Sequence, residues 1–381
     1  MKIGYVSRYD ARDINYWSGV STYISKTLEH QGLAVSNLGP LTEKNKFLFQ
    51  LKQGIYKYFR GEKHLRDYEP RILQNFNEQI RKKLKTAQSD VVFSATASPV
   101  AYLDCRQPIV FWADAVFASL IDFYPFFSNL SDESIAEGNA AEKSVLERCS
   151  LAIYASDWAA EAAVKFYGVA PEKVKVVPFG ANISVERNVE YIRKIINARP
   201  SNKCKLLFLG VEWERKGGDL AAEVTRRLNR SGLKTELTVA GCVPPPLDET
   251  DREFINVAGF IDKKTFAGRE LISKLLRESH FLIVPSRAEC FGVVFCEASS
   301  FGVPSLSTNV GGIPTAVKND VNGQTFDIDA DADRYCEYIS DLFADYSNYK
   351  ELALSAFHEY ETRLNWNVAG KTVKNLLKQC I

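Results

Sequence analysis

Two glutamates, Glu289 and Glu297, are the residues of this chain whose type and spacing best suit ligand chemistry. A carboxylate only accepts hydrogen bonds, so it fits polyhydroxy ligands such as sugars and ribose. Glu289 follows a short apolar run closed by Pro285-Ser286, and an apolar segment of helical character follows Gly292. The pattern predicts that Glu289 lies on a strand-to-helix turn, where ligands bind in open α/β sheets, and that Glu297 lies within the helix.

The turn after Glu289 also suits an anion. Gly292 lets a ligand approach the backbone closely, and the N–H groups from Phe291 to Val293 lie at a helix start, where the helix dipole favours negative charge. Two carboxylates that accept hydrogen bonds on either side of an anion site match a nucleotide-sugar, in which a diphosphate lies between a sugar and a ribose. The alternative is that Glu289 is a solvated loop residue and Glu297 an ordinary charge on a helix surface.

A second group of candidate residues follows the strand predicted at Lys205–Leu209. Its turn begins at Gly210 and contains the adjacent cations Arg215 and Lys216 before two glycines and a helix. Arginine can bind two oxygens at once and lysine supplies a point charge, so this turn is suited to a diphosphate. The alternative is a solvated basic turn.

The N-terminal half offers two further candidates. Gly19 begins a helix after the first strand, so its bare backbone can contact a phosphate or a sugar, although it can also be a plain turn glycine. Asp114 follows the strand at Pro108–Trp112 and is placed to face a cleft. The alternative for Asp114 is a cap on the next turn.

Strands and helices alternate twice along the chain, which predicts an α/β protein with two doubly wound, Rossmann-like domains. We place the first domain at residues 1–185, a charged linker at 186–203 and the second domain at 204–364, followed by a last helix at 365–381. Asn322-Gly323 is typical of a hairpin turn. Asp329, Asp331 and Asp333 lie at a probable helix start, so we interpret them as capping residues and not as a metal site.

Residues 41–85 differ from the rest of the chain. They contain twelve Lys or Arg against five Asp or Glu, a local net charge of +7 in a chain of net charge +1, with aromatic residues interleaved. This pattern suits an amphipathic face on an anionic membrane, or a groove for an anionic acceptor. A helical pair with solvated lysines and a buried aromatic side is the other interpretation. Nucleic acid is not expected, because the charge is local and no nucleic-acid motif accompanies it.

The composition is that of an ordinary soluble enzyme large enough for two cores, with 381 residues, 46% hydrophobic and 25% charged. No secretory signal follows Met1, and no apolar run approaches the roughly 20 residues of a spanning helix. The eight cysteines contain no C-x-x-C pair and are interpreted as reduced thiols of a cytoplasmic protein.

Three motifs occur together in the second half: Pro285-Ser286 at a strand end, Glu289 and Glu297 with seven residues between them, and the Gly-Gly-Ile-Pro sequence at 311–314. In this combination the chain resembles glycosyltransferase family 4. The resemblance implies the GT-B fold, in which two Rossmann-like domains face a cleft and a terminal helix crosses back onto the first domain. Lys216 fits the family pattern, whereas Val211 stands where the family usually has an arginine. Ser18-Gly19 stands in place of a Gly-Gly pair.

The resemblance also implies an activity, namely retaining transfer of a sugar from a nucleotide-sugar to an acceptor hydroxyl, with no metal and no other cofactor. Arg215 and Lys216 would neutralise the leaving diphosphate, and Asp114 would orient or deprotonate the acceptor. The implied donor contacts are Gly19 and Gly210 for phosphate or sugar, Glu289 with the N–H groups of Phe291, Gly292 and Val293 for the sugar, Glu297 for ribose, and Phe260 and Ile261 for the base.

We expect UDP-glucose as the donor, since it is common in the family, and a glycan or lipid-linked acceptor. The N-terminal loop lacks a Lys-x-Gly-Gly signature, which argues against an ADP-glucose polymerase. A cytoplasmic location is expected, with peripheral binding to the inner face of the plasma membrane as an option. Two other functions stay open: an epimerase or phosphorylase on the same fold, and a catalytically degenerate scaffold that binds a nucleotide or a glycan.

Overall fold

The computed structural model describes residues 1–14, 16–44, 46–183 and 187–379. The chain divides into two compact units, Met1–Pro178 together with the segment from Ala369, and Phe179–Val368. The change of unit comes at Phe179, earlier than the boundary that the sequence suggested at residue 185. The reason is that the Phe179 ring packs against Phe291 and Trp366, which belong to the second unit.

The first unit is built on a six-stranded sheet in which every neighbouring pair is parallel. The strand order is β2-β1-β3-β4-β5-β6, so the order reverses between β1 and β3. The strands are β1 (Lys2–Val6), β2 (Ala34–Asn37), β3 (Val91–Ser94), β4 (Ile109–Ala113), β5 (Leu151–Tyr154) and β6 (Val174–Val176).

The helices of the first unit connect these strands and cover the sheet. Their apolar faces bury a core that includes Ile72, Phe76, Ile80 and Val145 against strand residues such as Phe111. The helices are α1 (Val20–His30), α2 (Lys46–Ile55), α3 (Pro70–Ala87), α4 (Phe117–Leu120), α5 (Asp132–Arg148) and α6 (Asp157–Tyr167).

The second unit repeats the architecture with a second parallel six-stranded sheet. Its order is β12-β11-β10-β7-β8-β9, so the chain moves out on one side of β7 and returns on the other, and the order reverses between β7 and β10. The strands are β7 (Cys204–Leu209), β8 (Thr235–Ala240), β9 (Ile255–Gly259), β10 (Phe281–Val284), β11 (Ser305–Thr308) and β12 (Gly323–Phe326).

Seven helices are described wholly within the second unit, and an eighth, α14, begins there and continues into the first unit. In the first unit the Lys374 ammonium donates to the Gln31 carbonyl at the end of α1. The helices are α7 (Val189–Ala198), α8 (Gly218–Arg230), α9 (Phe266–Glu278), α10 (Val293–Ser299), α11 (Ile313–Ala316), α12 (Ala332–Ala344), α13 (Tyr346–Thr362) and α14 (Trp366–Gln379).

The segment expected to be a linker, residues 186–203, is largely helical over its described residues. Helix α7 begins after Asn188, whose side chain accepts from the Tyr191 N–H, and it buries Ile192, Ile195 and Ile196. Glu190, Arg193 and Lys194, which contributed to the charged pattern, lie on its exposed face, whereas Arg199 at its end is buried and donates to the Phe301 and Gly302 carbonyls. Residues 184–186 lie outside the described part of the chain.

The prediction of a hairpin at Asn322-Gly323 was wrong. Strands β11 and β12 are parallel, with Ser305 opposite Gly323, and helix α11 lies between them in the chain. A Cβ on Gly323 would lie 1.9 Å from the Ser305 carbonyl oxygen, so glycine is required there by close contact between two strands. The Asp331 prediction is confirmed, since its carboxylate caps α12.

The described residues of 41–85 include two helices of different character. Helix α3 buries Ile72, Phe76 and Ile80 in the core, which agrees with the interpretation of this stretch as a helical pair with solvated lysines and a buried side. Helix α2 buries no residue; its exposed apolar side chains, with those of the following π-helical turn at Tyr56–Arg60, are Phe47, Leu48, Leu51, Ile55, Tyr58 and Phe59. Among the described residues, no helix has the length and apolar character needed to cross a bilayer.

Candidate active site

Lys216 and Glu289 meet at the point where the strand order of the second unit reverses. Lys216 follows β7 and Glu289 follows β10, and these strands are neighbours in the sheet. The Lys216 ammonium donates to Glu289 Oε2, and both side chains are about nine-tenths buried. In doubly wound sheets this position forms a crevice at the carboxyl ends of the strands, where ligands bind.

Arg215 belongs to the same cluster. Its Nη1 donates to the Ala288 carbonyl at 2.8 Å and lies 3.9 Å from Glu289 Oε2, while Nη2 donates to Glu212 Oε1 at 2.8 Å. The hydrogen bond from Arg215 lowers the pKa of Glu212. Val211, which holds the place of the usual family arginine, is 66% exposed. Arg215 therefore reaches the carboxylate to which Lys216 is bound.

Two glycines make the approach of Lys216 possible. A Cβ on Gly210 would lie 3.1 Å from Lys216 Cγ, so the lysine side chain runs across the bare backbone of that residue. Gly217 has φ +74° and a Cβ there would lie 2.1 Å from the Pro285 carbonyl oxygen. The chain after β7 thus packs directly on the end of β10 at Gly217, a position that requires glycine.

The backbone after Glu289 is held by contacts within the second unit. The Gly312 N–H donates to the Glu289 carbonyl at 3.1 Å, which connects the Gly-Gly-Ile-Pro segment to the glutamate. Phe291 is buried, with its ring 5.4 Å from that of Phe179. Gly292 precedes α10 with φ +84°, and Val293, the first helical residue, is half-buried. These contacts fix the start of α10 beside Glu289.

Glu297 lies on α10 and is 2% exposed. The Lys263 ammonium donates to both of its carboxylate oxygens, at 2.8 and 3.0 Å. Lys263 is a candidate that the sequence reasoning missed, because 34 residues separate it from its partner. The only available signal was a basic residue shortly after Ile261 at the end of a strand.

The contact between Lys263 and Glu297 also determines where Phe260 and Ile261 lie. Strands β9 and β10 are separated by β8 and β7, a distance of about 14 Å at normal strand spacing. The segment after β9 must therefore turn back over the carboxyl edge of the sheet. Ile261 is buried in this segment, whereas Phe260 is 72% exposed. The candidate base contacts thus lie on the same edge as Glu297.

The candidates of the first unit form a separate group. Asp114 follows β4 and Gly19 follows the loop after β1, and β3 lies between these strands. The Trp17 indole N–H donates to Asp114 Oδ2 at 3.1 Å, so the loop and the aspartate are in contact. Trp17, Ser18 and Gly19 have φ of 48°, 52° and 84°. Positive φ is costly for the first two residues, and such strain is often found at functional sites.

Two family models match almost the whole chain. The model described as "Glycosyltransferase Family 4" matches residues 19–185, and the model described as "Glycosyl transferases group 1" matches residues 190–358. A D-inositol 3-phosphate glycosyltransferase of Paenarthrobacter aurescens is 28% identical over 211 residues, which are 52% of this chain and 50% of that protein. The chain spans about half the length of the curated relatives it matches.

Solved structures of the same fold cover the full chain. Sucrose-phosphate synthase from Thermosynechococcus elongatus has a TM-score of 0.70 at 16% identity and covers 100% of this chain and 98% of its own. HepE of Anabaena, in complex with UDP and glucose, has a TM-score of 0.63 at 16% identity, with full coverage of both chains. With both family models matched and two parallel six-stranded sheets of this architecture, the chain belongs to glycosyltransferase family 4, the GT-B glycosyltransferases.

Proposed function

We propose that this protein transfers a sugar from a nucleoside diphosphate donor to a hydroxyl group of a glycan or lipid-linked acceptor. The observation that carries the proposal is the cluster of Arg215, Lys216 and Glu289 where β7 and β10 meet. It places two cations and a hydrogen-bond acceptor within one buried group, as a diphosphate joined to a polyhydroxy sugar requires.

In this proposal Lys216 and Arg215 stabilise the diphosphate as negative charge develops on it during departure. Preorganised donors of this kind act on the charge of the transition state and contribute several kcal/mol. Glu289 exchanges part of its contact with Lys216 for the sugar hydroxyls, so donor binding and release of the lysine toward the phosphate occur together. With the phosphate charge carried by side chains, the transfer needs no metal.

Glu297 is the proposed ribose contact, and Lys263 holds its carboxylate in place through two hydrogen bonds. Ile261 and Phe260, on the same edge, are the proposed neighbours of the base. In the first unit we propose that Asp114, oriented by the Trp17 indole, orients or deprotonates the acceptor hydroxyl. Retention of anomeric configuration is part of the proposal and follows from family membership.

We propose UDP-glucose as the donor. HepE, which shares the fold over its full length, has been solved with UDP, with UDP and glucose, and with UDP-glucose.

A thermal-shift and hydrolysis screen with UDP, GDP and ADP and their common sugars, in the presence of EDTA, tests the proposed donor. Stabilisation by UDP and slow hydrolysis of UDP-glucose are expected. Turnover that depends on phosphate would point to a phosphorylase, and release of an isomerised sugar to an epimerase. The absence of a thermal shift with any nucleotide would point to a scaffold.

The exposed apolar face of α2 supports an acceptor at an anionic membrane. Phe47, Leu48 and Leu51 are 55% to 74% exposed on a helix within a stretch of strong positive charge. Such a face can insert among lipid head groups while its lysines attract anionic lipid. We propose that the protein works on the cytoplasmic side of the plasma membrane and binds it through α2.

Sedimentation with vesicles tests the membrane proposal. We expect binding to vesicles with 30% anionic lipid, weakened by salt and lost in the double variant Leu48→Ser/Leu51→Ser. Phe166→Ser, at a 53% exposed aromatic on α6, is the matched control and should bind as the wild type does. Equal binding by the double variant would contradict a role for α2.

A further inference from the structure

A buried cluster of metal-ligand residue types lies in the first unit, outside the candidate transferase residues. His64 is fully buried, and its Nε2 is 2.7 Å from Glu69 Oε1. Its other nitrogen, Nδ1, is 3.0 Å from Ser134 Oγ. Ligating histidines characteristically bond through the second ring nitrogen in this way, because that bond fixes the tautomer and the ring orientation.

A third candidate ligand comes from α5. Glu137 Oε2 is inaccessible to solvent and has no hydrogen-bond partner among the described residues. One nitrogen of His64 and one oxygen each from Glu69 and Glu137 all lie within 4.8 Å of one another. Ligand atoms about 2.1 Å from one ion are about 3.4 Å apart in tetrahedral geometry, so side-chain movements of about 1 Å would bring the three into coordination.

The charges of the cluster favour a cation. Glu133, on the same face of α5, joins Glu69 and Glu137, so three carboxylates surround His64. Within the described part of the chain, the lysine bonded to them is Lys52 of α2, at 2.6 Å from Glu69 and 3.0 Å from Glu133. Glu133 is also bound by the Tyr56 hydroxyl at 2.7 Å, which leaves Glu69 and Glu137 as the carboxylates available to an ion.

We propose that His64, Glu69 and Glu137 form a binding site for a divalent metal ion of the Zn²⁺ type. An imidazole with two carboxylates is a ligand set for zinc, cobalt or manganese, whereas magnesium and calcium prefer oxygen ligands alone. The Ser134 hydroxyl would hold His64 with Nε2 directed at the ion. Nothing in the proposed sugar transfer uses this site.

The Lys52 ammonium competes with the ion in this site. It is bonded to Glu69 Oε1, the oxygen that also faces His64, and its side chain is 30% exposed, so it can move to solvent or remain on Glu133 alone. Metal binding would therefore remove one of the contacts that hold α2 to the body of the first unit. The bond from Gln53 of α2 to the His64 carbonyl, and that from Tyr56 in the next turn to Glu133, would remain.

Titration of the full-length protein with Co²⁺, followed by visible absorption, and with Zn²⁺, followed by calorimetry, tests the site at pH 7.5 after removal of metal with EDTA. We expect one equivalent to bind. Glu137→Gln should weaken Zn²⁺ affinity at least tenfold, and His64→Gln should do so as well and abolish the Co²⁺ spectrum. Lys52→Gln should tighten binding, since it removes the competing cation.

Glu147→Gln, at an exposed glutamate of the same helix, is the matched control and should leave affinity unchanged. Circular dichroism establishes whether each variant is folded. If His64→Gln does not fold, Glu137→Gln still tests the proposal, because Glu137 Oε2 forms no hydrogen bond among the described residues and the substitution breaks none there. Failure of the wild type to bind one equivalent, or unchanged affinity in Glu137→Gln, would overturn the proposal. Unchanged or weaker affinity in Lys52→Gln would contradict the competition.

Discussion

The Lys216 ammonium and the Glu289 carboxylate, 73 residues apart in sequence, form a buried ion pair where β7 and β10 lie side by side. Burial of one such charge without the other costs several kcal/mol, so each side chain holds its partner in the site. The pair also places the lysine proposed to bind the phosphate in direct contact with the glutamate proposed to bind the donor sugar, which makes the two roles interdependent.

Loss of the lysine should act mainly on turnover. We expect Lys216→Ala to lower kcat for donor hydrolysis or transfer by about 10²- to 10³-fold, roughly 2–4 kcal/mol, as for removal of one preorganised charge donor. Lys203→Ala is the matched control. Lys203 precedes β7, at the end of the strand opposite to Lys216, and its ion pair with Glu236 should be dispensable for activity. Turnover near that of the wild type in Lys216→Ala would remove the phosphate role.

Loss of Glu297 should act on donor binding. Glu297→Ala removes the proposed ribose contact and leaves Lys263 without its carboxylate, so we expect the donor KM to rise about tenfold or more with little change in kcat. Glu278→Ala, at a half-exposed glutamate of α9, should leave the donor KM as it is. Steady-state kinetics over a range of donor concentrations measure both, and an unchanged KM in Glu297→Ala would argue against a ribose contact.

The packing of the turn after β7 on β10 predicts a stability difference between two glycines. Gly217→Ala must accept φ +74° and a contact of 2.1 Å with the Pro285 carbonyl, whereas Gly232→Ala must accept φ +96° with no atom within 4 Å. We expect Gly232→Ala to cost about 1–2 kcal/mol, the penalty of the left-handed backbone, and Gly217→Ala clearly more. Urea midpoints measure the difference; equal midpoints would mean that the turn can move away from β10.

Glu142 should make stability depend on pH. Burial raises its pKa to about 8, and Tyr68, Tyr154 and Tyr167 are its neighbours. Because the pKa of the folded state exceeds the unfolded value of 4.5, the folded protein holds the proton more tightly, and the free energy of unfolding falls as pH rises from about 4.5 to about 8. A shift of this size corresponds to on the order of 3–5 kcal/mol.

Glu142→Gln keeps the shape of the side chain and cannot ionise, so it should be more stable than the wild type at pH 8.5 and lose this advantage near pH 5. Thermal unfolding between pH 5 and 9 measures the difference. Glu147→Gln, at an exposed position of the same helix, should follow the wild-type profile. A Glu142→Gln profile parallel to that of the wild type would mean that Glu142 is not protonated in the folded protein.

The sequence by itself determined the elements and the residue types at their ends. Buried parallel strands are short apolar runs closed by glycine or proline, and this local pattern marked β7, β10 and the turns with Lys216 and Glu289. The same kind of local evidence wrongly predicted a hairpin at Asn322-Gly323, because the sequence alone does not distinguish a glycine required by contact with a neighbouring strand from one required by a hairpin turn.

Only the tertiary structure decided which of these ends meet. The strand order brings β7 beside β10, the chain after β9 returns so that Lys263 reaches Glu297, and the packing of α5 places Glu137 beside His64 and Glu69. The tertiary packing also leaves the apolar face of α2 exposed while that of α3 is buried, although both helices combine basic with apolar residues. Such contacts depend on long-range packing and charge burial, which no periodicity within a single element records.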